Sequence, residues 1–175
     1  MAKLGGLFQN KSKRPRIRPT PTGLDRILWM TAINLALAGP VYAAWVYAGL
    51  PARIPTGFGP GGQVGGMGPA WNVLLAPGFG VIVVGVMLLL QRWPWISNTV
   101  VAITEENAEA QYRLVNRLLS WLAIVMGMIF LMVTIEVATT AQGQPAKLAP
   151  PIMAMAAAGT LPLLAWYLWR SFKEA

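Results

Sequence analysis

The sequence contains no cysteine and no histidine, and it has few charged residues. Without cysteine the chain can form neither a disulfide nor a thiolate metal site, and it has no thiol nucleophile. Without histidine it lacks the commonest general base and the usual protein ligand of haem. We therefore predict no haem or metal cofactor, while contact with a pigment or a lipid through backbone or apolar surface stays open. The remaining carboxylates are scattered, which predicts a protein that is not an enzyme.

Charged residues make up only 11% of the chain, whereas 55% of it is hydrophobic. A soluble domain carries about 25% charged residues, so this chain could not cover its surface in water. Four apolar runs are each long enough to cross a hydrocarbon core of about 30 Å, and Pro40, Pro77 and Pro162 inside them are tolerated in membrane helices as kinks. The sequence predicts an all-α integral membrane protein over residues 27–170, with transmembrane helices at residues 27–50, 71–90, 114–138 and 150–169.

The basic residues predict the orientation of these spans. Of 14 lysines and arginines, 12 lie in the N-terminal segment, in the loop between spans two and three, or at the C-terminus. Arg53 and Lys147 alone lie on the other side. By the positive-inside rule both termini are cytoplasmic, and residues 51–70 form an extracytoplasmic loop. The first span is too long for a cleaved signal peptide, so we interpret it as a signal anchor.

Residues 1–26 form a basic, proline-rich tail with too few apolar residues to fold alone. One interpretation is a topology determinant that rests on anionic lipid headgroups, at about 1 kcal/mol per basic residue. The other is an arm that docks along a partner subunit. Binding to nucleic acid is not predicted, because no aromatic residues are interleaved with the basic ones. The candidate docking residues are Lys11, Lys13, Arg14, Arg16 and Arg18.

Residues 91–113 form the loop between spans two and three, and the end of this loop is predicted to be helical. Thr104 can cap a helix. Glu109 and Arg113 are four residues apart and can pair on one helix face. We expect this helix to run without interruption into span three, so that the span extends about three turns into the cytoplasm.

Glu136 is the only carboxylate within a predicted span, and it lies near the outer end of that span. Intramembrane ionisable residues are candidate functional sites. Arg53 in the outer loop is the predicted partner. Two interpretations stay open, namely a salt bridge or snorkelling side chain at the membrane rim, or a proton or ligand site. In span one, Thr31 and Asn34 are predicted to form interhelical hydrogen bonds.

The segment from Ile54 to Trp71 contains seven glycines and three prolines, and Gly57, Gly59 and Gly62 give a formal G-x-G-x-x-G match. A dinucleotide-binding loop needs a preceding strand, a helix directly after it, and an acidic residue about 20 positions further on. Here a membrane helix precedes the match, Pro60 interrupts it and no such acid follows. We interpret the segment as an extracytoplasmic loop, whose length is typical of functional or disordered loops.

The same loop resembles a known sequence pattern. In the small membrane domain of uncharacterised function at the N-terminus of the Sdp-type immunity proteins of bacteria, a first span is followed by Leu-Pro-x-x-Ile-Pro-x-His-Phe-x-x-x-Gly-x-x-x-x-x-Gly and then by a second span. The run "NAEAQYRLVNRLL" before span three is also similar to the family's Asn-x-x-x-x-Tyr-x-x-x-Arg run, so the resemblance covers about residues 27–138. Gly57 stands where the family has histidine. The matching positions are Leu50, Pro51, Ile54, Pro55, Phe58, Gly62 and Gly68.

The resemblance implies a family membrane fold in the bacterial cytoplasmic (inner) membrane. We predict a non-enzymatic accessory or structural subunit of a larger bacterial membrane complex, in contact with anionic lipids and with other membrane subunits. One alternative is an Sdp-type immunity or sensor protein that responds to an extracytoplasmic peptide. Another is a transporter or channel, although four spans with one carboxylate offer no polar pathway without oligomerisation. The candidate partner contacts in the loop are Ile54, Pro55, Phe58, Gly62 and Gly68.

Overall fold

The computed structural model describes residues 9–59 and 61–174, apart from the side chains of Lys13 and Ala149. Residues 1–8 of the predicted tail lie outside the described residues. The described chain is mostly helical. Its helices are α1 (Gly23–Val46), α2 (Leu75–Leu90), α3 (Ala108–Ala141) and α4 (Ala149–Lys173), its strands are β1 (Arg53–Phe58) and β2 (Val64–Pro69), and short 3-10 segments lie at Lys11–Lys13, Tyr47–Gly49, Ala70–Leu74 and Pro94–Ile96.

Four helical stretches in the described part of the chain are long and apolar enough to cross a membrane. The four predicted spans are therefore confirmed as helices of suitable length and composition. The first helix begins at Gly23, four residues before the predicted start, because Thr22 caps it. Asp25 Oδ2 accepts a hydrogen bond from the Thr22 N–H at 2.7 Å, and Thr22 Oγ1 accepts one from the Asp25 N–H at 3.3 Å. This reciprocal arrangement satisfies two backbone donors. The four stretches are Gly23–Gly49, Ala70–Leu90, Ala108–Ala141 and Pro150–Lys173.

Helix α3 lies at the centre of the bundle and packs against α1, α2 and α4. The tail, the start of α3 and the end of α4 lie together, since Tyr112 contacts Pro15 and Gln111 contacts Ser171. We call this the basic end of the bundle. The opposite end, where β1 and β2 lie, is the hairpin end.

Small residues allow the helices to approach closely in the middle of the bundle. Ala32, Ala36, Val84 and Ala123 form a buried cluster between α1, α2 and α3. Close approach through small residues is the usual way in which membrane helices associate, because lipid provides no hydrophobic force between them. Here that close contact holds the first three helices together.

Helix α4 is the most peripheral of the four. Only 6% of its apolar stretch is buried within the protein, against 22–28% for the other three. Near the basic end it packs on α3 through Tyr167, which contacts Leu114 and Val115. Most of its surface therefore faces the surroundings of the bundle.

Helix α3 begins later than the Thr104 cap predicts. Thr104 and Asn107 instead close a turn in front of the helix, in which Asn107 Oδ1 accepts from the Thr104 N–H at 2.9 Å. The helix then runs unbroken from Ala108 to Ala141, as the predicted extension of span three requires. The predicted pair is also formed, since Arg113 Nη2 lies 2.6 Å from Glu109 Oε1.

Residues 51–70 are not an irregular loop, because β1 and β2 form an antiparallel hairpin. Ile54 is opposite Gly68 in its register. The turn places Gly62 at φ +81°, in the left-handed region that favours glycine. It is closed by a hydrogen bond of 2.8 Å from the Gly59 N–H to the Gln63 carbonyl. The all-α prediction is therefore right for the spans and wrong for this segment.

Candidate functional site

The five loop residues predicted to contact a partner are covered by the chain itself. Ile54, Pro55, Gly62 and Gly68 are buried, and Phe58 is half-buried. The prediction is corrected because the segment folds down as a hairpin onto the helix ends. The four buried residues therefore support the bundle, whereas other residues of the segment, such as Val64 and Met67, are exposed.

Ile54 fixes the hairpin to the helices. Its side chain is fully buried and lies among residues of α1, α3 and the segment that enters α2. Gly68, opposite Ile54, has no room for a side chain, because a Cβ there would collide with the side chains of Thr56 and Asn72. The strand pairing and this apolar contact together hold the hairpin over the end of the bundle. The residues buried with Ile54 are Ala43, Val46, Val73 and Ala138.

A cavity of about 570 Å³ lies beneath the hairpin. Strand β1 covers it, and α2, α3 and α4 supply its walls. We call it the hairpin cavity. Most of its lining is apolar and includes three aromatic rings, while a few polar side chains face it near the hairpin. The aromatic residues are Phe58, Phe79 and Phe130, and the polar ones are Thr56, Asn72 and Glu136.

Glu136 is the buried carboxylate of this cavity, with 2% of the residue exposed. Its Oε1 accepts a hydrogen bond from the Leu148 N–H at 2.8 Å. Leu148 directly precedes α4, so the carboxylate lies at the positive end of that helix, where a negative charge is favourable. The Leu148 N–H and the positive end of α4, rather than a basic side chain of the described residues, therefore stabilise the buried carboxylate of Glu136.

The predicted pairing of Arg53 with Glu136 is wrong. Arg53 is exposed at the start of β1, and its Nη2 donates to the Met67 carbonyl at 3.4 Å. Among the ion pairs of the described residues, none involves Glu136. The hairpin directs Arg53 outward, whereas Glu136 faces the hairpin cavity below it. Neither a rim salt bridge nor a snorkelling side chain describes Glu136, which is buried and accepts a hydrogen bond at the start of α4.

No family model, curated protein or solved structure matches the chain. The resemblance to the Sdp-type immunity proteins therefore stays a prediction.

At the basic end, the tail lies against the segment between α2 and α3. Gln9 forms two hydrogen bonds with the backbone of Ile103, donating from Nε2 to the carbonyl at 2.7 Å and accepting from the N–H at 2.9 Å. Lys11 Nζ donates to the Ile96 carbonyl at 2.7 Å. We call the contact of residues 9–15 with this segment the tail clasp.

Arg14 is the buried centre of the tail clasp, with 3% of the residue exposed. Its Nη1 donates to the Ser97 carbonyl at 2.7 Å, and the Tyr112 hydroxyl donates to the Pro15 carbonyl at 3.0 Å. The docking prediction is therefore corrected for Arg14, which is buried and binds its own chain, whereas Lys11 is exposed and stays a candidate. Arg16 and Arg18 are exposed and stay candidates for lipid or partner contact, while the side chain of Lys13 lies outside the described residues.

A second cavity, of about 390 Å³, lies beside the tail at the basic end, and Arg18, Arg92 and Arg113 are among its lining residues. Next to it, Trp29 Nε1 donates to Gln91 Oε1 at 2.7 Å. Basic pockets between membrane helices suit anionic lipid headgroups. Contact with anionic lipids stays a prediction, for which this cavity is a candidate position.

We expect Arg14→Met to detach the tail. Removing the guanidinium leaves carbonyls of the segment between α2 and α3 without their donor, which costs roughly 1–3 kcal/mol. Because local opening controls cleavage in a clasped segment, trypsin should cut the Arg16–Ile17 bond about 10-fold faster in the variant. Arg18→Met is the control, since Arg18 is exposed and the Arg18–Pro19 bond is not a trypsin site. Equal cleavage rates in all three proteins would contradict the clasp.

Most of the residues around Glu136 carry no distinctive signal in the sequence. Phe79 and Phe130 are unremarkable in apolar spans, and the backbone N–H of Leu148 leaves no trace in the sequence. Asn72 was the one available signal, as the only strongly polar residue at the start of span two.

Proposed function

We propose that this protein is a non-enzymatic integral membrane protein that serves as an accessory or structural subunit of a larger complex in the bacterial cytoplasmic membrane. In this proposal the basic end faces the cytoplasm and the hairpin lies on the outer side. The concentration of lysine and arginine at the basic end supports that orientation.

The observation that carries the proposal is the outward position of Asn34. Thr31 and Asn34 lie on the exposed face of α1. The Asn34 Nδ2 donates to the Met30 carbonyl of its own helix at 2.7 Å, while its Oδ1 accepts no hydrogen bond among the described residues. The predicted interhelical bonds are therefore not made within the described part of the chain, where Thr31 and Asn34 both donate to their own helix. In hydrocarbon an unsatisfied amide group is unfavourable, so a second helix that supplies a donor would be stabilised there.

The outward face of α2 provides the contrast. It carries large apolar side chains, including Phe79, Ile82 and Val86, all of them well exposed and suited to lipid. The outside of α1 also exposes large apolar side chains, but it adds hydroxyl and amide groups in a shallow groove whose lining includes Thr31, Asn34 and Ala38. Small and hydroxyl- or amide-bearing residues are typical of contacts between membrane helices. Helix α1 is thus the better candidate for contact with another subunit.

Photo-cross-linking in native membranes tests this proposal. A photoreactive residue at Leu37, on the exposed face of α1, should give a defined cross-linked product with another membrane protein. The same residue at Ile82 of α2 is the control and should give none. Asn34→Leu should reduce the product at position 37 about 3-fold or more, the effect of one interhelical hydrogen bond. A protein that always migrates as a free monomer in mild detergent, with equal products at both positions, would refute the proposal.

The hairpin cavity favours a second candidate, an Sdp-type immunity or sensor protein. In the proposed orientation the cavity lies on the outer side, where an extracytoplasmic peptide would arrive. Deleting the gene should then raise the sensitivity of the cells to a peptide toxin of the kind that the family resists. Unchanged sensitivity would count against this candidate.

A further inference from the structure

The carboxylate of Glu136 uses only part of its hydrogen-bonding capacity. Oε1 accepts from the Leu148 N–H, and Oε2 accepts no hydrogen bond among the described residues. Lys147 is close in sequence, but it is exposed and forms no ion pair within the described part of the chain. Burying an ionised carboxylate is unfavourable unless a cation or several donors compensate it. A positively charged donor at Oε2 would complete this site.

The hairpin cavity gives that donor an apolar surrounding. Phe130 lies six residues before Glu136 on α3, which places it about 9 Å deeper along the helix. Phe79 of α2 and Met153 of α4 line the cavity and are 62% and 57% exposed in total. The cavity is therefore bordered by surfaces that face the bilayer. A molecule that fills it would have a cationic end near the hairpin and an apolar body towards the middle of the bundle.

We propose that the hairpin cavity binds a membrane lipid with a primary ammonium headgroup, such as an ethanolamine phospholipid, whose ammonium donates to Glu136 Oε2. A primary ammonium has N–H donors, whereas the quaternary ammonium of a choline lipid has none. Thr56 and Asn72 also line the cavity, and their side chains form no hydrogen bonds within the described residues. Their hydroxyl and amide groups can donate to the phosphate of the same headgroup. This inference rests on the cavity alone and does not depend on a partner subunit at α1.

Lipid retention measured by native mass spectrometry tests the proposal. The protein is equilibrated with equal amounts of phosphatidylethanolamine, phosphatidylcholine and phosphatidylglycerol that have the same acyl chains. Retention of the ethanolamine lipid should exceed that of the other two about 10-fold, the effect of one hydrogen bond to a charged group. Glu136→Gln should reduce this preference to about 2-fold or less, because the amide can still accept from Leu148 but loses its charge. Glu109→Gln, an exposed carboxylate at the other end of α3, is the matched control and should retain the wild-type preference.

A second variant keeps the test decisive if Glu136→Gln does not fold. Ala76 of α2 lines the hairpin cavity, so Ala76→Phe adds a ring there while Glu136 is unchanged, and it should also abolish the preference. Soluble phosphoethanolamine, which has the headgroup without the chains, should not displace the lipid at equal concentration, and displacement would overturn the assignment to a lipid. Equal retention of the three lipids by the wild-type protein would also overturn it. So would a wild-type preference in a folded Ala76→Phe variant.

Discussion

Replacing Gly80 with leucine should lower the free energy of unfolding by about 3 kcal/mol, the upper part of the range for overpacking a close contact. Gly80 lies on the face of α2 that meets α3, where an added Cβ would be 2.8 Å from Phe130 Cβ. Phe130 Cβ is fixed to the backbone of α3 and cannot swing away. The two helices would therefore have to separate. The loss should be measured by unfolding in mixed micelles, followed by circular dichroism.

Gly85 provides the control for this experiment within the same helix. It is exposed, and a Cβ added there would meet nothing within 4 Å. Gly85→Leu changes glycine to leucine in the same helix, so it reports the gain in helix propensity and the added contact with lipid, without the collision. Its stability should equal or exceed that of the wild-type protein. If both variants lose the same free energy, the close approach of α2 and α3 is not what holds these helices together.

The helical spans were predictable because their signal is local and long. Each apolar run is sufficient to define its helix, and the Glu109–Arg113 pair is formed as its spacing of four residues predicts. The boundaries were less accurate, since Thr22 with Asp25 starts α1 earlier and the turn at Thr104 and Asn107 starts α3 later. Such ends depend on which side chain caps the backbone, and several candidates stood near each end.

The hairpin was not predictable by the same reasoning. Its strands contain glycine and proline, which are depleted in strands, so neither alternation nor β-propensity marks residues 53–69. Ile54 is buried because α1, α3 and the entrance of α2 close around it. That contact depends on the tertiary arrangement. Because the sequence predicts a loop at the surface, it predicts Ile54 as a contact with a partner.

The candidate sites also depend on contacts between distant parts of the chain. Opposite charges predict a pair of Glu136 and Arg53, but the actual donor to Glu136 is the backbone N–H of Leu148. Every residue except proline has such an N–H, so the sequence does not mark it. The binding of Arg14 to the Ser97 carbonyl likewise joins residues 83 positions apart. The sequence identifies Glu136 and Arg14 as candidate site residues. Their partners are backbone groups, which composition and spacing do not reveal.

Asp25→Ala should lower the free energy of unfolding by about 2.5–4 kcal/mol, because Asp25 joins a helix cap and a hydrogen bond to a charged group. Its Oδ2 accepts from the N–H and the hydroxyl of Thr22 at 2.7 and 2.8 Å, which forms the cap of α1. Its Oδ1 accepts from Arg117 Nε of α3 at 2.9 Å. Loss of such a cap costs about 1 kcal/mol, and a hydrogen bond to a charged group contributes roughly 1.5–3 kcal/mol. The measurement is the same unfolding in mixed micelles.

Loss of the Asp25–Arg117 pair should cost more than loss of an ordinary surface ion pair, because the Asp25–Arg117 pair is more buried. The side chains of Arg117 and Asp25 are 24% and 11% exposed, whereas those of Arg113 and Glu109 are 31% and 57% exposed. Glu109→Ala removes the same charge at the same end of the bundle, and we expect a loss of about 0.5 kcal/mol or less. In a double-mutant cycle, Asp25→Ala and Arg117→Met should show a coupling of about 1–2 kcal/mol. Additive losses would mean that Asp25 acts through its helix cap alone and does not link α1 to α3.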